Sequence, residues 1–267
     1  MWRLRVSALI SALAALLAAP AAAPAGGVCP CSDAALCRPV QVEHEREVLG
    51  WGARGWTGYD WDTLTIVAHT DTPQMLCHAH KHNARVLTGA RMWARDGNVS
   101  EMLNASARAA WVAASVAEVK ERFLDGLYFD FEGPLSREQQ PQLVSAFTDL
   151  VNETALALHA HVPGSKLVVA TAWSPDDIDG RAYDYKGLAA AADYLFDMNY
   201  DTRSAIWGRC IASANAALSK ASRGIQRYRD AGIDPSALIL GLPWYCELQY
   251  KDPKWHFLWN CLLKMQR

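Results

Sequence analysis

Seven short apolar runs recur along the chain, and they constrain its fold more than any other feature. They are Glu47–Trp51, Thr63–His69, Ala84–Ala90, Asp125–Glu132, Lys166–Trp173, Asp193–Asp201 and Ala237–Tyr245. Each has the length and residue types of a β-strand. Between the later ones, Ala107–Phe123 and Gln140–His161 place apolar residues at helical spacing. Strands that alternate with helices pair in parallel, because the crossover returns the chain to the same end of the sheet. The runs have few polar interruptions, as expected when both faces of a sheet are covered. Two α/β architectures meet these conditions, an open doubly wound sheet and a (β/α)8 TIM barrel. Polar and aromatic residues gather at the C-terminal ends of the runs: Asp130 and Glu132, Trp173, Tyr200 and Asp201, Trp244 and Tyr245. That rim is where barrels build active sites, so the barrel is the expected fold.

The fourth run, DGLYFDFE, sets two acids inside an apolar strand. Side chains alternate along a strand, so Tyr128, Asp130 and Glu132 share one face and Leu127, Phe129 and Phe131 the other. The apolar face suits the outer helices. The polar face points into the barrel, with Glu132 nearest the mouth. Two buried acids this close cannot both ionise cheaply, so one should keep its proton towards neutral pH. A carboxylic acid held in that state is what general acid catalysis requires. The alternative is a strand whose acids simply reach solvent at its end.

The N-terminus MWRLRVSALISALAALLAAPAAAPAGG has early arginines, an apolar run and then small residues. This is the pattern of a secretory signal peptide, expected over 1–25. The apolar stretch 6–19 is short for a membrane span. Export agrees with three glycosylation sequons, at Asn98, Asn104 and Asn152, and with seven cysteines, most of which should pair in an oxidising compartment. The segment CPCSDAALC reads as a disulfide-tied arm, because its spacing is not that of a zinc ribbon or finger. The organisation expected is therefore an arm over 26–44, an incomplete barrel lacking its eighth strand and last helix over 45–246, and a divergent tail over 247–267. A net charge of −2, with no basic stripe and no phosphate loop, gives no reason to expect nucleic acid or an anionic membrane as partner.

DGLYFDFE resembles the D-G-x-D-x-D-x-E signature of the family 18 glycoside hydrolases. Asp125, Gly126, Asp130 and Glu132 fall on it, while Tyr128 stands where many members carry aspartate. MNYD, Met198 to Asp201, matches the family's M-x-Y-D at the sixth strand. CPCSDAALCRP, AWSP, IWGRCIASANA and LILGLPWY are similar to a lysosomal member, with the likeness running with gaps from about Cys29 to Tyr245. The resemblance implies a retaining glycosidase without a protein nucleophile, one of the exceptions to two-carboxylate hydrolysis. In that scheme Glu132 is the acid and then the base. The substrate's 2-acetamido oxygen attacks the anomeric carbon. Asp130 holds the acetamido N–H, Tyr200 orients its oxygen, and Asp125 supports Asp130. Met198, Asp201, Trp173, Trp244 and Tyr245 are the implied substrate-binding set, the aromatic ones through ring stacking or else as packing at strand ends. The implied partner is an N-acetylglucosamine oligosaccharide such as the GlcNAc-β-1,4-GlcNAc core of asparagine-linked glycans. The implied location is the lysosome, and the implied state is a monomer without metal or organic cofactor.

Other features carry plainer readings. His78 and His82 lie one helical turn apart, but with no third ligand a solvated helix face is the expectation. Arg227 and Arg229 suit the end of a helix. No G-x-S-x-G elbow is present. After GLPWY the tail shows no pattern of an eighth parallel strand and helix. The alternatives to catalysis are a non-catalytic sugar-binding barrel, against which the retained Glu132 argues, and a product that folds poorly.

Overall fold

The computed structural model describes residues 27–52, 54–68, 72–91, 99–202 and 214–244, with two strand backbones at 246–249 and 258–261. The 1–25 segment, Asn98, Cys210 and Tyr245 lie outside the described residues. Seven strands form one sheet: β1 (Leu49–Trp51), β2 (Ile66–Ala68), β3 (Arg85–Gly89), β4 (Gly126–Phe129), β5 (Lys166–Ala172), β6 (Tyr194–Met198) and β7 (Leu238–Gly241). Their spatial order is their chain order, and every neighbouring pair is parallel. A doubly wound sheet reverses its strand order partway. This sheet never does, which decides for the barrel. It also curls: Trp51 on β1 meets Phe196 on β6 with ring centroids 5.3 Å apart. Seven parallel strands thus make a nearly closed barrel.

Alternation along each strand builds two apolar layers. Ile66, Ala68, Leu87, Tyr128, Val168, Ala170 and Phe196 fill the inside. Val67, Val86, Leu127, Phe129, Leu167, Val169 and Leu195 face outward into a larger core shared with the helices. Those helices are α1 (Pro73–Lys81), α2 (Ala105–Glu121), α3 (Pro141–His161), α4 (Tyr185–Ala191) and α5 (Leu218–Asp230). Local chemistry starts them. Thr72 caps α1 through the Met75 N–H, with Pro73 at its first position. Asn104 caps α2 through the Ser106 and Ala107 N–H groups, and Asp184 caps α4 through Gly187. No helix among the described residues is long and apolar enough to cross a membrane.

The expected strands are all present but shorter. The fourth stops at Phe129, so Asp130 and Glu132 follow the strand and do not lie within it. The seventh stops at Gly241. In the tail, β8 (Cys246–Gln249) pairs antiparallel with β9 (Leu258–Cys261) in a separate two-stranded sheet.

The cysteine-rich arm is tied as expected, by disulfides Cys29–Cys37 and Cys31–Cys77, the second reaching α1. Beneath it lies a buried carboxylate, Asp125. One oxygen accepts the Val40 N–H at 2.8 Å. The other accepts the Val86 N–H at 2.7 Å and pairs with His80 Nε2 at 2.8 Å. His80 Nδ1 meets the Leu36 carbonyl at 2.7 Å. Both ring nitrogens face acceptors, so the imidazolium is the form that satisfies the site. Burial alone favours the neutral ring, but the hydrogen bond and charge of Asp125 and the Leu36 carbonyl outweigh it and raise the His80 pKa. The adjoining Gly126 is forced by close approach. Its φ is +149°, and a Cβ there would lie 1.9 Å from the Lys166 carbonyl oxygen.

A second acid favours the protonated state. Asp197 lies on the outward side of β6, fully buried, and accepts a hydrogen bond from the Asn199 amide. Burial pushes its carboxyl up to about 8, against the pull of Asn199. Protonated His80 stabilises the fold below the ordinary histidine pKa, and that stabilisation is lost as pH rises through the raised one. Asp197 keeps its proton in the fold while the unfolded chain releases it above about 4, so stability falls as pH climbs from there towards 8. Both effects act in the same direction. The melting temperature is therefore expected to be higher at pH 5 than at pH 8, with His80→Gln flattening the profile; a rise in melting temperature towards pH 8 contradicts this.

Candidate active site

The mouth of the barrel is assembled from the segments after β4, β5 and β6. The residues just past β4 alternate as expected: Phe131 turns into the outer core, and Asp130 and Glu132 turn to the mouth. The structure corrects the expectation of burial. Both acids are open to solvent, Glu132 with 56% of its side chain exposed. Phe131 anchors the segment, stacked on Tyr183 at 5.7 Å and packed on Phe147 at 5.1 Å. The Tyr183 hydroxyl is shared between the carbonyls of Phe131, at 3.0 Å, and Gly133, at 2.6 Å. It pins the backbone on both sides of Glu132. Burial, the first cause, raises the pKa of this phenol far enough to keep it a donor.

The Glu132 carboxylate is held by Arg181, from the loop between β5 and α4, with Nη1 2.8 Å from Oε2. Asp130 responds to the same group. Partial desolvation and then the charge of Glu132 raise its pKa, while Arg181 lowers it. Tyr200 follows β6 and is half-buried. Its phenol pKa is raised by burial first and then by the charges of Asp130 and Glu132, so the three groups share one electrostatic site. Met198 contributes to the inner wall beside Phe196. Asp201 takes a left-handed conformation, φ 48°, and its N–H donates to Asn215 Oδ1. The floor of the mouth is aromatic: the Trp51 ring, 42% exposed, lies 4.5 Å from Tyr128.

Two implied roles do not match the placement. Asp125 was expected to support Asp130, but its carboxylate is engaged by Val40, Val86 and His80 at the opposite end of β4. The four residues of β4 separate the two acids, and five steps at the rise of a β-strand amount to about 16 Å. Asp125 therefore acts on the fold and not on Asp130. Trp173 packs against α5: a Cβ at Gly224 would lie 1.8 Å from the Trp173 carbonyl oxygen, and Lys220 Nζ sits 5.5 Å over the indole. Trp244 is instead 84% exposed after β7. The sequons at Asn104 and Asn152 are exposed, on the outer helices.

His78 and His82 stack on each other at 4.8 Å and lie among Trp56 and Trp61, an aromatic cluster on the outer face of α1. The sulfurs of Cys29, Cys31 and Cys37 are close enough together to suggest a metal, but all three are consumed in disulfides. Sequence reasoning missed Arg181 and Tyr183. The available signal was their place after β5, because in a parallel barrel that loop adjoins the one after β4.

These features define a parallel β/α barrel with acids at its mouth. Residues 58–254 match the model of Glycosyl hydrolases family 18, and the chain belongs to that family. Di-N-acetylchitobiase of Rattus norvegicus is 38% identical over 221 residues, covering 81% of this chain and 58% of that protein. The Homo sapiens protein of the same name is 37% identical over 224 residues, covering 82% and 56%. The chain thus spans a little over half the length of these relatives. Among solved structures, a class V chitinase from Nicotiana tobaccum superposes with a TM-score of 0.61 at 20% identity, covering 75% of this chain and 67% of that one. An N-acetylglucosaminidase from Paenibacillus barengoltzii gives 0.59 at 18%, covering 76% and 69%. At such identities these two speak for the fold alone.

Because Trp173 is packed under α5, Trp173→Ala is expected to destabilise the fold by about 2–3 kcal/mol, while Trp244→Ala should change stability by less than about 0.5 kcal/mol. Urea unfolding of the two variants checks this, and equal effects would contradict the placement.

Proposed function

We propose that the chain hydrolyses GlcNAc-β-1,4-GlcNAc linkages, in chito-oligosaccharides and in the core of asparagine-linked glycans, by a retaining, substrate-assisted route. The observation that carries this is the grouping of Glu132, Asp130 and Tyr200 at the mouth of a family 18 barrel. The similarity to proteins named di-N-acetylchitobiase supports the substrate class. A mutant of the tobacco class V chitinase has been solved in complex with NAG4.

Each role follows from chemistry. Glu132 is solvent-open and so can reach both a leaving glycosidic oxygen and an incoming water. It gives a proton to the first and takes one from the second. The acetamido oxygen of the substrate displaces the leaving group and forms an oxazolinium ion. Asp130 accepts the acetamido N–H and offsets the ion's positive charge. The raised pKa of Tyr200 keeps its hydroxyl available to donate to the acetamido oxygen. Trp244, Tyr245, Met198 and Asp201 complete the proposed substrate contacts. None of these roles calls for a metal or an organic cofactor. The disulfide-tied arm agrees with passage through the secretory pathway, and we place the protein in the lysosome, as a monomer. The openness of Asp130 to solvent favours a second reading, sugar binding without turnover, since an exposed carboxylate stabilises a cation less well.

The test is release of GlcNAc from di-N-acetylchitobiose by the purified chain and by Glu132→Gln. The expected result is turnover by the wild type and a loss of at least about 10³-fold in the variant, with sugar affinity kept. Near-normal turnover by the variant overturns the assignment. Silence from the wild type with retained binding supports the second reading.

A further inference from the structure

We propose that Arg181 is a positioning residue for Glu132, and that the loop after β5 is shaped to deliver it. The proposal rests on the reading of Glu132 as the acid and base.

Arg181 is only 7% exposed, yet the carboxylate it binds is largely open to solvent. An exposed ion pair contributes little to stability, so stability alone does not explain burying an arginine to make one. The guanidinium is fully directed. Nη1 donates to Glu132 Oε2 at 2.8 Å, Nη2 to Asp179 Oδ2 at 3.2 Å, and Nε to the Ile178 carbonyl at 3.2 Å. With its fork fixed on two sides by its own loop, Arg181 has one direction left, and Glu132 lies along it.

The backbone that presents it is unusual. Asp177 and Asp179 are left-handed, at φ 54° and 53°, and Gly180 follows at φ 77°. Aspartate tolerates this conformation better than most residues, but two within three positions still carry strain that the surroundings must hold. The surroundings do so. Leu135 N–H bonds the Gly180 carbonyl and Ala182 N–H bonds the Leu135 carbonyl, stitching this loop to the segment that carries Glu132. The Tyr185 hydroxyl donates to the Arg181 carbonyl at 2.8 Å, and Arg137 bonds Asp177 at 3.1 Å. Strain kept at a site mouth and over-determined by its neighbours is a mark of function.

The consequence is geometric. Asp130 and Glu132 leave the strand on the same side and repel each other when ionised. Arg181 draws one oxygen of Glu132 to its own side of the mouth, while the charge of Asp130 acts on Tyr200. The charged and titratable groups acting on Asp130 are Glu132 and Arg181, and Asp130 in turn acts on Tyr200 and Tyr183. Lysine supplies a charge at this position but not a fork anchored at Asp179 and Ile178.

The experiment compares Arg181→Met and Arg181→Lys with wild type, using an aryl β-glycoside of di-N-acetylchitobiose. It also follows the Asp130 carboxyl by carbon-13 NMR against pH, with the signal assigned from Asp130→Asn. Arg181→Met is expected to lower kcat by about 100-fold with KM changed less than about threefold, and Arg181→Lys to lower kcat by about tenfold, as misplacement of a catalytic group does. The titration midpoint of Asp130 should move upward in Arg181→Met, because a charge that holds it down has gone. A wild-type kcat in Arg181→Met, or an unmoved Asp130 midpoint, overturns the proposal. Should Arg181→Met fail to fold, Arg181→Lys decides, and a wild-type kcat there overturns it. An inert wild type whose Asp130 midpoint still moves in Arg181→Met refutes the glycosidase reading and leaves the positioning contact standing. An active wild type with an unaffected Arg181→Met does the reverse.

Discussion

One buried carboxylate, Asp125, ties three separate parts of this molecule together. It receives N–H groups from the arm at Val40 and from β3 at Val86, and it pairs with His80 of α1. A carboxylate without water is expensive, and removing one partner of a buried pair leaves the other charge uncompensated. All three donors must therefore be in place together. That requirement sets where the arm crosses the bottom of the barrel, and the Cys31–Cys77 disulfide holds α1 to the same arm. Next to it, Gly126 lets β5 approach β4 closely enough to pair in register from Gly126↔Lys166 onward. The exit of β4 follows from its entry, so the position of Asp130 and Glu132 at the far end depends on this anchor.

The two ends of β4 thus divide the labour. At the bottom, charges are buried and paired, and they hold the fold. At the top, the acids are open to solvent and supported from behind. Tyr183 pins the carbonyls flanking Glu132, Phe131 seats the segment in the aromatic core, and Arg181 takes the carboxylate itself. The site is precise because its supports are buried even though its acids are not. Trp51 and Tyr128 fill the space beneath it.

Much of this was legible in the sequence because alternation is a strong signal. Strands covered on both faces read as apolar runs, and all seven were found. Their ends were not, because pairing with neighbours and not composition decides where a strand stops. Counting from Leu127 puts Asp130 and Glu132 on one side of the chain, but both follow the last residue of β4 and are exposed, because the apolar run continues past the end of the strand. Asp125 was misread for a related reason. A motif groups it with Asp130, but the four residues of β4 between them set the two at opposite ends. Trp173 was ambiguous in principle, since a tryptophan at a strand end can turn to the mouth or under a helix. Gly224 on α5, which lets the helix approach, lies 51 residues away in sequence. Arg181 lies 49 residues from Glu132 and has no periodic pattern, so only the fold brings them together.

The central claim is that the chemistry is supplied jointly by Glu132 and by the acetamido group of the substrate. The most direct measurement compares hydrolysis of two aryl β-glycosides that differ only at C2, one with an acetamido group and one with a hydroxyl. The account predicts turnover of the acetamido substrate, release of the β-anomer first, and no detectable turnover of the hydroxyl analogue. Comparable rates on the two, or first release of the α-anomer, would contradict it.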